Sequence, residues 1–237
     1  MSAFVSRPPA VVGYVSPSTI QFPSEINELL PADFGLVMSV LDVRAHTDEQ
    51  FRAARAKLED VLRALAGEGA QAIVVDGVPV AVWDGYEAEG ELWRAMQAAC
   101  GVPVTSGMHA TVEGFRQLGV QRLAVATAYL PAINERLTAY LAQAGFEVLA
   151  SEGLAVHSPA EAGRLQAEAY AELARKLVRQ QPQVEGVFFG GRISLVSTAA
   201  ALERELDRVV LTARQGGVWW LFRTLGLPFG KGRLLSS

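Results

Sequence analysis

The sequence predicts an α/β protein built from two pseudo-symmetric, four-stranded parallel (Rossmann-like) halves with a cleft between them. Three observations carry this expectation. Short apolar runs alternate with longer amphipathic ones along the chain, as strands and crossover helices do. Several of the short runs are apolar at nearly every position, the pattern of parallel strands covered on both faces. Residues 105–119 and 212–226 also match at a constant offset of 107, pairing Thr105 with Thr212, Phe115-Arg116 with Phe222-Arg223, and Leu118-Gly119 with Leu225-Gly226. All α/β units share this outline to some degree, but the matched positions favour two related halves. Halves of this kind bind ligands at the C-terminal ends of their strands.

Taken in order, the predicted strands are Ala10–Val15, Phe34–Val40, Gln71–Val75, Val102–Thr105, Arg122–Thr127, Phe146–Ala150, Gly186–Phe189 and Arg208–Leu211. The segments Ile73-Val-Val-Asp-Gly77 and Val187-Phe-Phe-Gly-Gly191 each read as a buried strand ending in a glycine turn. Thr47-Asp-Glu-Gln50 is a capping box opening a helix with Phe51, Leu58, Leu62 and Leu65 along one face. Ser158-Pro-Ala-Glu161 is a second, with proline at the first helical position, and its helix is expected to run to Gln180 or Gln181.

Composition narrows the function classes. Of 237 residues, 50% are hydrophobic and 19% charged, so the chain can bury a large core without a staple. Its one cysteine, Cys100, cannot form an intrachain disulfide or a Cys-rich zinc site. His46, His109 and His157 show no ligand spacing, so no metal is expected. A net charge of −4 argues against nucleic acid or an anionic membrane as partner. No run approaches the ~18 apolar residues of a membrane span. The Arg7-Pro-Pro of the N-terminal segment stands where a signal peptide would place its apolar run. The expected location is the cytoplasm.

Common catalytic motifs are missing. Gly67-Glu-Gly69-Ala-Gln-Ala72 follows a helix and precedes a strand, the reverse of a dinucleotide fingerprint. Pro228-Phe-Gly-Lys-Gly232 lacks the phosphate-loop spacing, and there is no G-x-S-x-G elbow. Cys100 ends an apolar helix face with nothing basic beside it to favour a thiolate. Asp76 ends an apolar strand before Gly77, where a site residue of an α/β fold would stand, though a turn carboxylate accepting backbone N–H groups fits equally. Arg192 follows Gly190-Gly191 at the equivalent place in the second half. It could clamp a carboxylate bidentately or pair with Asp76 or solvent. Trp83 and Trp219-Trp220 could line an aromatic pocket or pack in the core.

A more specific signal runs from Gly101 to Val148. Leu118-Gly-Val-Gln-Arg122 enters a strand, Thr127-Ala-Tyr129 ends it, and Asn134-Glu-Arg-Leu137 follows in a helix. This stretch resembles the aspartate/glutamate racemase superfamily, in the branch of arylmalonate decarboxylase and maleate cis-trans isomerase. Weaker similarity covers most of the chain, including Gly13-Tyr-Val-Ser-Pro17-Ser18. The resemblance implies a first half of residues 1–115 plus 217–237, a second of 116–216, and a cofactor-free site between them. Enzymes of the family act on a carbon next to a carboxylate. Isomerases and racemases use one cysteine from each half; the decarboxylase uses a single second-half cysteine to protonate an enediolate. Backbone and hydroxyl donors form a dioxyanion pocket for the developing charge.

Carried over by position, the first-half cysteine falls at Gly77 and the second at Gly190 or Gly191, so the catalytic cysteines are expected to be absent. The hydroxyl pair after the first is replaced by Val78-Pro79, and proline has no N–H to donate. The asparagine of the isomerases falls near Ile20. Tyr129 of the pocket is retained, with Thr127 nearby. Two functions follow as expectations. The first is a cofactor-independent decarboxylase or isomerase of a small carboxylate. In it Asp76, Tyr129 and Arg192 supply acid, base and charge stabilisation, and Pro17, Ser18, Gly77, Val78, Pro79, Thr127, Gly190 and Gly191 line the pocket. The second is a catalytically silent homologue that binds a small ligand. A receptor of the periplasmic binding type is a third, disfavoured without an export signal. The oligomeric state stays open.

Overall fold

The structure is a computed structural model that describes residues 10–18, 29–30, 34–191 and 196–227. Its eight described strands form two four-stranded, all-parallel sheets with helices on their faces. The first sheet contains β1 (Val11–Ser16), β2 (Gly35–Val40), β3 (Ala72–Val75) and β4 (Val104–Ser106), in the order β2-β1-β3-β4. The second contains β5 (Arg122–Thr127), β6 (Glu147–Gly153), β7 (Gly186–Gly190) and β8 (Val209–Leu211), in the order β6-β5-β7-β8. The two orders are identical, as the internal repeat predicts. β1, β3, β5 and β7 are almost wholly buried, whereas the edge strands β2 and β6 are only partly covered.

The first connecting run, α1 (Asp48–Ala56) and α2 (Leu58–Gly67), buries Phe51, Leu58, Leu62 and Leu65 as expected. It is two helices because the turn tightens at Lys57, whose N–H bonds to the carbonyl of Ala54, three residues back. Thr47 caps α1, but Gln50 turns its side chain to the N–H of Arg44, so the predicted reciprocal box is only half made. After β3 come the short α3 (Val78–Ala81), a 3₁₀ turn at Val82–Asp84, α4 (Tyr86–Cys100), β4 and α5 (Gly107–Gln117). The chain continues through α6 (Pro131–Gln143), α7 (Pro159–Ala162), α8 (Ala167–Gln180), α9 (Val196–Leu206) and α10 (Ala213–Leu225). The single helix predicted from Ser158 to Gln180 is thus broken between α7 and α8. The break falls at Gly163, a poor helix former, where two three-residue turns replace the helical ladder. No described helix is long and apolar enough to cross a membrane.

α5 and α10, the repeat partners, pack against each other and tie the halves together. Gly107 permits the approach: a Cβ there would lie 2.6 Å from the Ala213 carbonyl oxygen. α5 presses Phe115 onto Gly186 of β7, while Gly217 of α10 lies against Val74 of β3. Each helix therefore touches the sheet to which the strand preceding it does not belong. One apolar core accordingly contains residues of both halves, and a smaller one lies beneath α8 and α9.

Candidate active site

In each sheet the first and third strands are neighbours whose connections leave in opposite directions. That reversal opens a crevice at the strands' C-terminal ends. Residues at or after the ends of β3, β5, β7 and β8 meet there, and Pro17 after β1 packs on Gly77 behind them.

Asp76 follows β3. Its Oδ1 accepts the N–H of Gly77 at 2.8 Å, and its Oδ2 accepts the Tyr14 hydroxyl at 2.5 Å. Arg214 reaches the same Oδ2 with Nε and Nη2, each at 3.3 Å, and its Nε also donates to the Tyr14 oxygen at 3.3 Å. Tyr14 is 1% exposed and the Asp76 and Arg214 side chains 12% and 9%, so this is a buried ion pair with hydrogen-bonded support. Burial first, and the Asp76 charge second, push the Tyr14 hydroxyl well above the usual tyrosine range, which keeps it a donor.

Arg214 owes its position to the start of α10. Thr212 Oγ1 accepts the Gln215 N–H at 3.1 Å, and Gln215 Oε1 accepts the Thr212 N–H at 2.9 Å. This complete capping box fixes the helix's first turn, and with it the positive end of the helix dipole.

The second half contributes Tyr129. Thr127, fully buried at the end of β5, accepts the Tyr129 N–H at 3.0 Å and donates to Asn134 Oδ1 at 2.7 Å, which sets the turn. Burial, then Asp76, raise the Tyr129 hydroxyl above its ordinary range, so it too is held protonated. Neighbouring side chains fill the space beside Gly190 and Gly191. A Cβ on Gly190 would lie 2.9 Å from Phe188 Cε1 and 3.4 Å from Tyr129 Cε2, and one on Gly191 would lie 2.7 Å from the Tyr170 hydroxyl. His46, from the segment after β2, sets its ring edge-on to Tyr129 at 6.0 Å and spans the halves by an N–H bond to the His157 carbonyl at 3.3 Å.

Asp76, Val78, Tyr129, Gly190, Gly191 and Arg214 line a single cavity, closed by Phe189, Thr212 and Ala213. Its volume is about 20 Å³, room for one water. The arrangement offers a guanidinium, a phenol and a helix N-terminus to an anion, with one carboxylate beside them.

Residues 12–235 match the family model for arylmalonate decarboxylase. The chain belongs to the arylmalonate decarboxylase family. It is 28% identical over 220 residues to an arylmalonate decarboxylase of Bordetella bronchiseptica, covering 92% of this chain and 91% of that protein. It is also 28% identical over 240 residues to a maleate isomerase of Nocardia farcinica, with 95% of each covered. Among solved structures, a mutant of arylmalonate decarboxylase in its liganded form superposes with a TM-score of 0.86 at 25% identity, over 92% of this chain and 93% of that one. The maleate isomerase of Pseudomonas putida S16 with maleate, at 18% identity, shares the fold at a TM-score of 0.89, over 96% and 97%. Membership of the arylmalonate decarboxylase family agrees with the two parallel sheets and the resemblance carried by residues 101–148.

Of the residues singled out in the sequence, Asp76, Val78, Tyr129, Gly190 and Gly191 meet at the cavity. The others stand behind it. Gly77 adopts a positive φ of 113° and Pro17 packs on it; Ser18 accepts the Ser16 hydroxyl at 3.0 Å through its carbonyl; Pro79 is buried inside α3; Thr127 braces the Tyr129 turn. Arg192 and Ile20 lie outside the described residues. Cys100 ends α4 at the opposite edge of the first sheet, its thiol directed to the Val102 carbonyl at 3.6 Å. Trp83 packs on Phe51 and carries the Arg136 guanidinium 3.8 Å above its ring, and Trp219 is buried, so neither lines the cavity. Among the described residues no group of three His, Cys, Asp or Glu side chains could hold a metal ion.

Sequence reasoning missed Tyr14, Arg214 and Tyr170. The repeat offset set Arg214 opposite Gly107, so a charged residue standing against a glycine was the available signal.

Proposed function

We propose that the cleft binds a small carboxylate and catalyses cofactor-independent isomerisation or decarboxylation at the adjacent carbon. The convergence of Arg214, Tyr129 and the N-terminus of α10 on one cavity carries this reading. Arg214 and the helix end hold the carboxylate and the enediolate that forms when charge moves onto it. Asp76 keeps one acceptor position beyond those occupied by Gly77, Tyr14 and Arg214, and it is the group that would take a proton from the α-carbon. Tyr129 returns a proton from the other side. A carbanion is far more basic than a phenolate, so even a hydroxyl whose proton is tightly held gives it up to such a partner. In decarboxylation the C–C bond to the departing carboxylate breaks, CO₂ leaves, and only the proton from Tyr129 is needed. The names of the relatives, an arylmalonate decarboxylase and maleate isomerases, support a small carboxylate as ligand and decarboxylation as a reaction; the proton exchange between Asp76 and Tyr129 isomerises by inverting an α-carbon, not by turning a double bond.

A catalytically silent ligand-binding homologue is the second reading, favoured by glycine at both 190 and 191, which leaves no acid or nucleophile on that strand end. The deciding experiment incubates the protein with aryl- and alkylmalonates, their half-esters, maleate and small monocarboxylates in D₂O. CO₂ release, isomerisation and deuterium entry at the α-carbon are followed. The enzyme reading expects turnover that Tyr129→Phe lowers about 100-fold. Ligand-induced stabilisation without any turnover would establish the silent homologue instead.

A further inference from the structure

Donors from three parts of the chain converge on the Asp76 carboxylate. The Tyr14 hydroxyl, within β1, meets Oδ2 at 2.5 Å, and Arg214, on the first turn of α10, meets the same oxygen with Nε and Nη2 at 3.3 Å. The Gly77 N–H meets Oδ1 at 2.8 Å. Tyr14 and Arg214 stand 62 and 138 residues from Asp76 in sequence. Each donor has an anchor of its own: Tyr14 its buried strand, Arg214 the capping box of α10, and Gly77 the positive φ of its turn. The Asp76 backbone is fixed as well, its N–H donating to the Val15 carbonyl at 2.8 Å. A guanidinium, a phenol and a backbone N–H aimed at one point form a donor set suited to a free carboxylate. The cavity beside them has room for one water and is too small for an organic acid.

We propose that Asp76 is the resident occupant of a carboxylate cradle formed by Tyr14, Gly77 and Arg214, so that an outside carboxylate gains Arg214 only by parting it from Asp76. The inference rests on the proposed carboxylate site and says how that site is filled before a ligand arrives. The small cavity is then the site with its occupant in place, and the Arg214–Asp76 contact is the one a ligand must break. Tyr14 and Gly77 keep their hold on Asp76 through the exchange, so its side chain stays beside the incoming ligand.

Acetate is the Asp76 side chain cut free of its backbone, which makes it the probe. Asp76→Gly keeps the three donors and empties the cradle. Acetate binding to this variant and to the unmodified protein is measured calorimetrically, with acetamide, its neutral isostere, as the control. Formate with Asp76→Ala supplies a second pair. Each variant is expected to bind its acid at least about 10-fold more tightly than the unmodified protein does, the worth of a single hydrogen bond to a charged group. Acetamide should show no such gain, and neither should acetate with Asp76→Asn, whose amide still fills the cradle. A variant that folds only with its acid present, and not with acetamide, reports the same capture through rescue. Equal acetate binding by Asp76→Gly and the unmodified protein overturns the inference, as does a matching gain with acetamide or in Asp76→Asn. Failure of both variants to fold even in their acids overturns it too. Acetate capture by Asp76→Gly in a protein that turns over no carboxylate would remove the catalytic reading and leave the resident occupant standing; turnover without capture would do the reverse.

Discussion

Tyr170 occupies the space that a side chain on Gly191 would need: a Cβ built there lies 2.5 Å from Tyr170 Cε1 and 2.7 Å from its hydroxyl. The aromatic ring comes from α8 and packs edge-on to Phe189 at 5.9 Å, so it cannot withdraw without disturbing the second core. Gly191→Cys is thus expected to cost about 1–3 kcal/mol through overpacking. Combined with Tyr170→Leu, it should cost clearly less than the sum of the two single changes. Urea unfolding of the four proteins in the cycle measures this; additive losses would show that Tyr170 and position 191 do not compete for space.

Gly77 sets the exit from β3. Its φ of 113° and ψ of 80° suit glycine alone, and Pro17 Cβ would stand 3.1 Å from an added Cβ. Gly77→Ala is expected to lower stability by about 1–3 kcal/mol and to weaken carboxylate binding, because the Gly77 N–H that orients Asp76 turns with the backbone. Unfolding and ligand titration report the two effects separately. An alanine protein of full stability would contradict the backbone assignment.

Glu89 sits at the meeting of α4, α5 and α6 with no exposed surface. Ser106 donates to its Oε1 at 2.5 Å, Tyr140 donates to Oε2, and His109 Nδ1 stands 3.5 Å from Oε2. Glu89→Gln would turn an amide donor towards a hydroxyl donor, and about 1–3 kcal/mol of stability should be lost; Glu89→Ala should lose about 3–5 kcal/mol. Chemical denaturation tests both. Since Tyr140 and Glu89 belong to different halves, the loss should appear in one cooperative transition rather than as early release of one half.

Alkaline stability follows from three tyrosines. Burial first, and a neighbouring carboxylate second, raise Tyr14, Tyr129 and Tyr140 above the ordinary value of 10.0. Above pH 10 the unfolded chain releases these protons while the folded one retains them, so the unfolded state binds fewer protons and stability falls as pH rises. Below pH 10 the three contribute no slope. Above it the combined loss approaches about 4 kcal/mol per pH unit. Tyrosinate absorbance and circular dichroism should change together for these residues. Ionisation of all three while the fold persists would contradict their burial.

Much of this architecture could be read from local patterns. The buried strands β3 and β7 carry no charged or hydrogen-bonding side chain, and β5 has an apolar run between Arg122 and Thr127; all are bounded by turns, so their composition and length sufficed. The repeat of Thr, Phe-Arg and Leu-Gly anticipated two sheets of the same order. Helix interruptions at Lys57 and Gly163 were not legible, because capping signals mark where a helix starts and say little about how far it continues. The site was half legible. Asp76 and Tyr129 follow strand ends, a position that singles them out. Tyr14 looks like one more core residue of β1, and its role comes from partners 62 and 200 residues away. The guanidinium that meets Asp76 belongs to Arg214, 138 residues distant, on a helix whose capping box the sequence reading passed over. Long-range pairing of this kind leaves no local periodicity to find.

The reach of α5 and α10 across to the sheet that their preceding strands do not belong to also bears on how the chain is made. A ribosome delivers both sheets before it delivers α10, so β3 waits for the cover that Gly217 provides, and Asp76 waits for Arg214. Until then the first sheet has an apolar face open to water and a carboxylate without its cation. The cavity is therefore among the last parts of the protein to form, and a nascent chain stalled before residue 213 has both sheets but lacks Thr212's helix and Arg214.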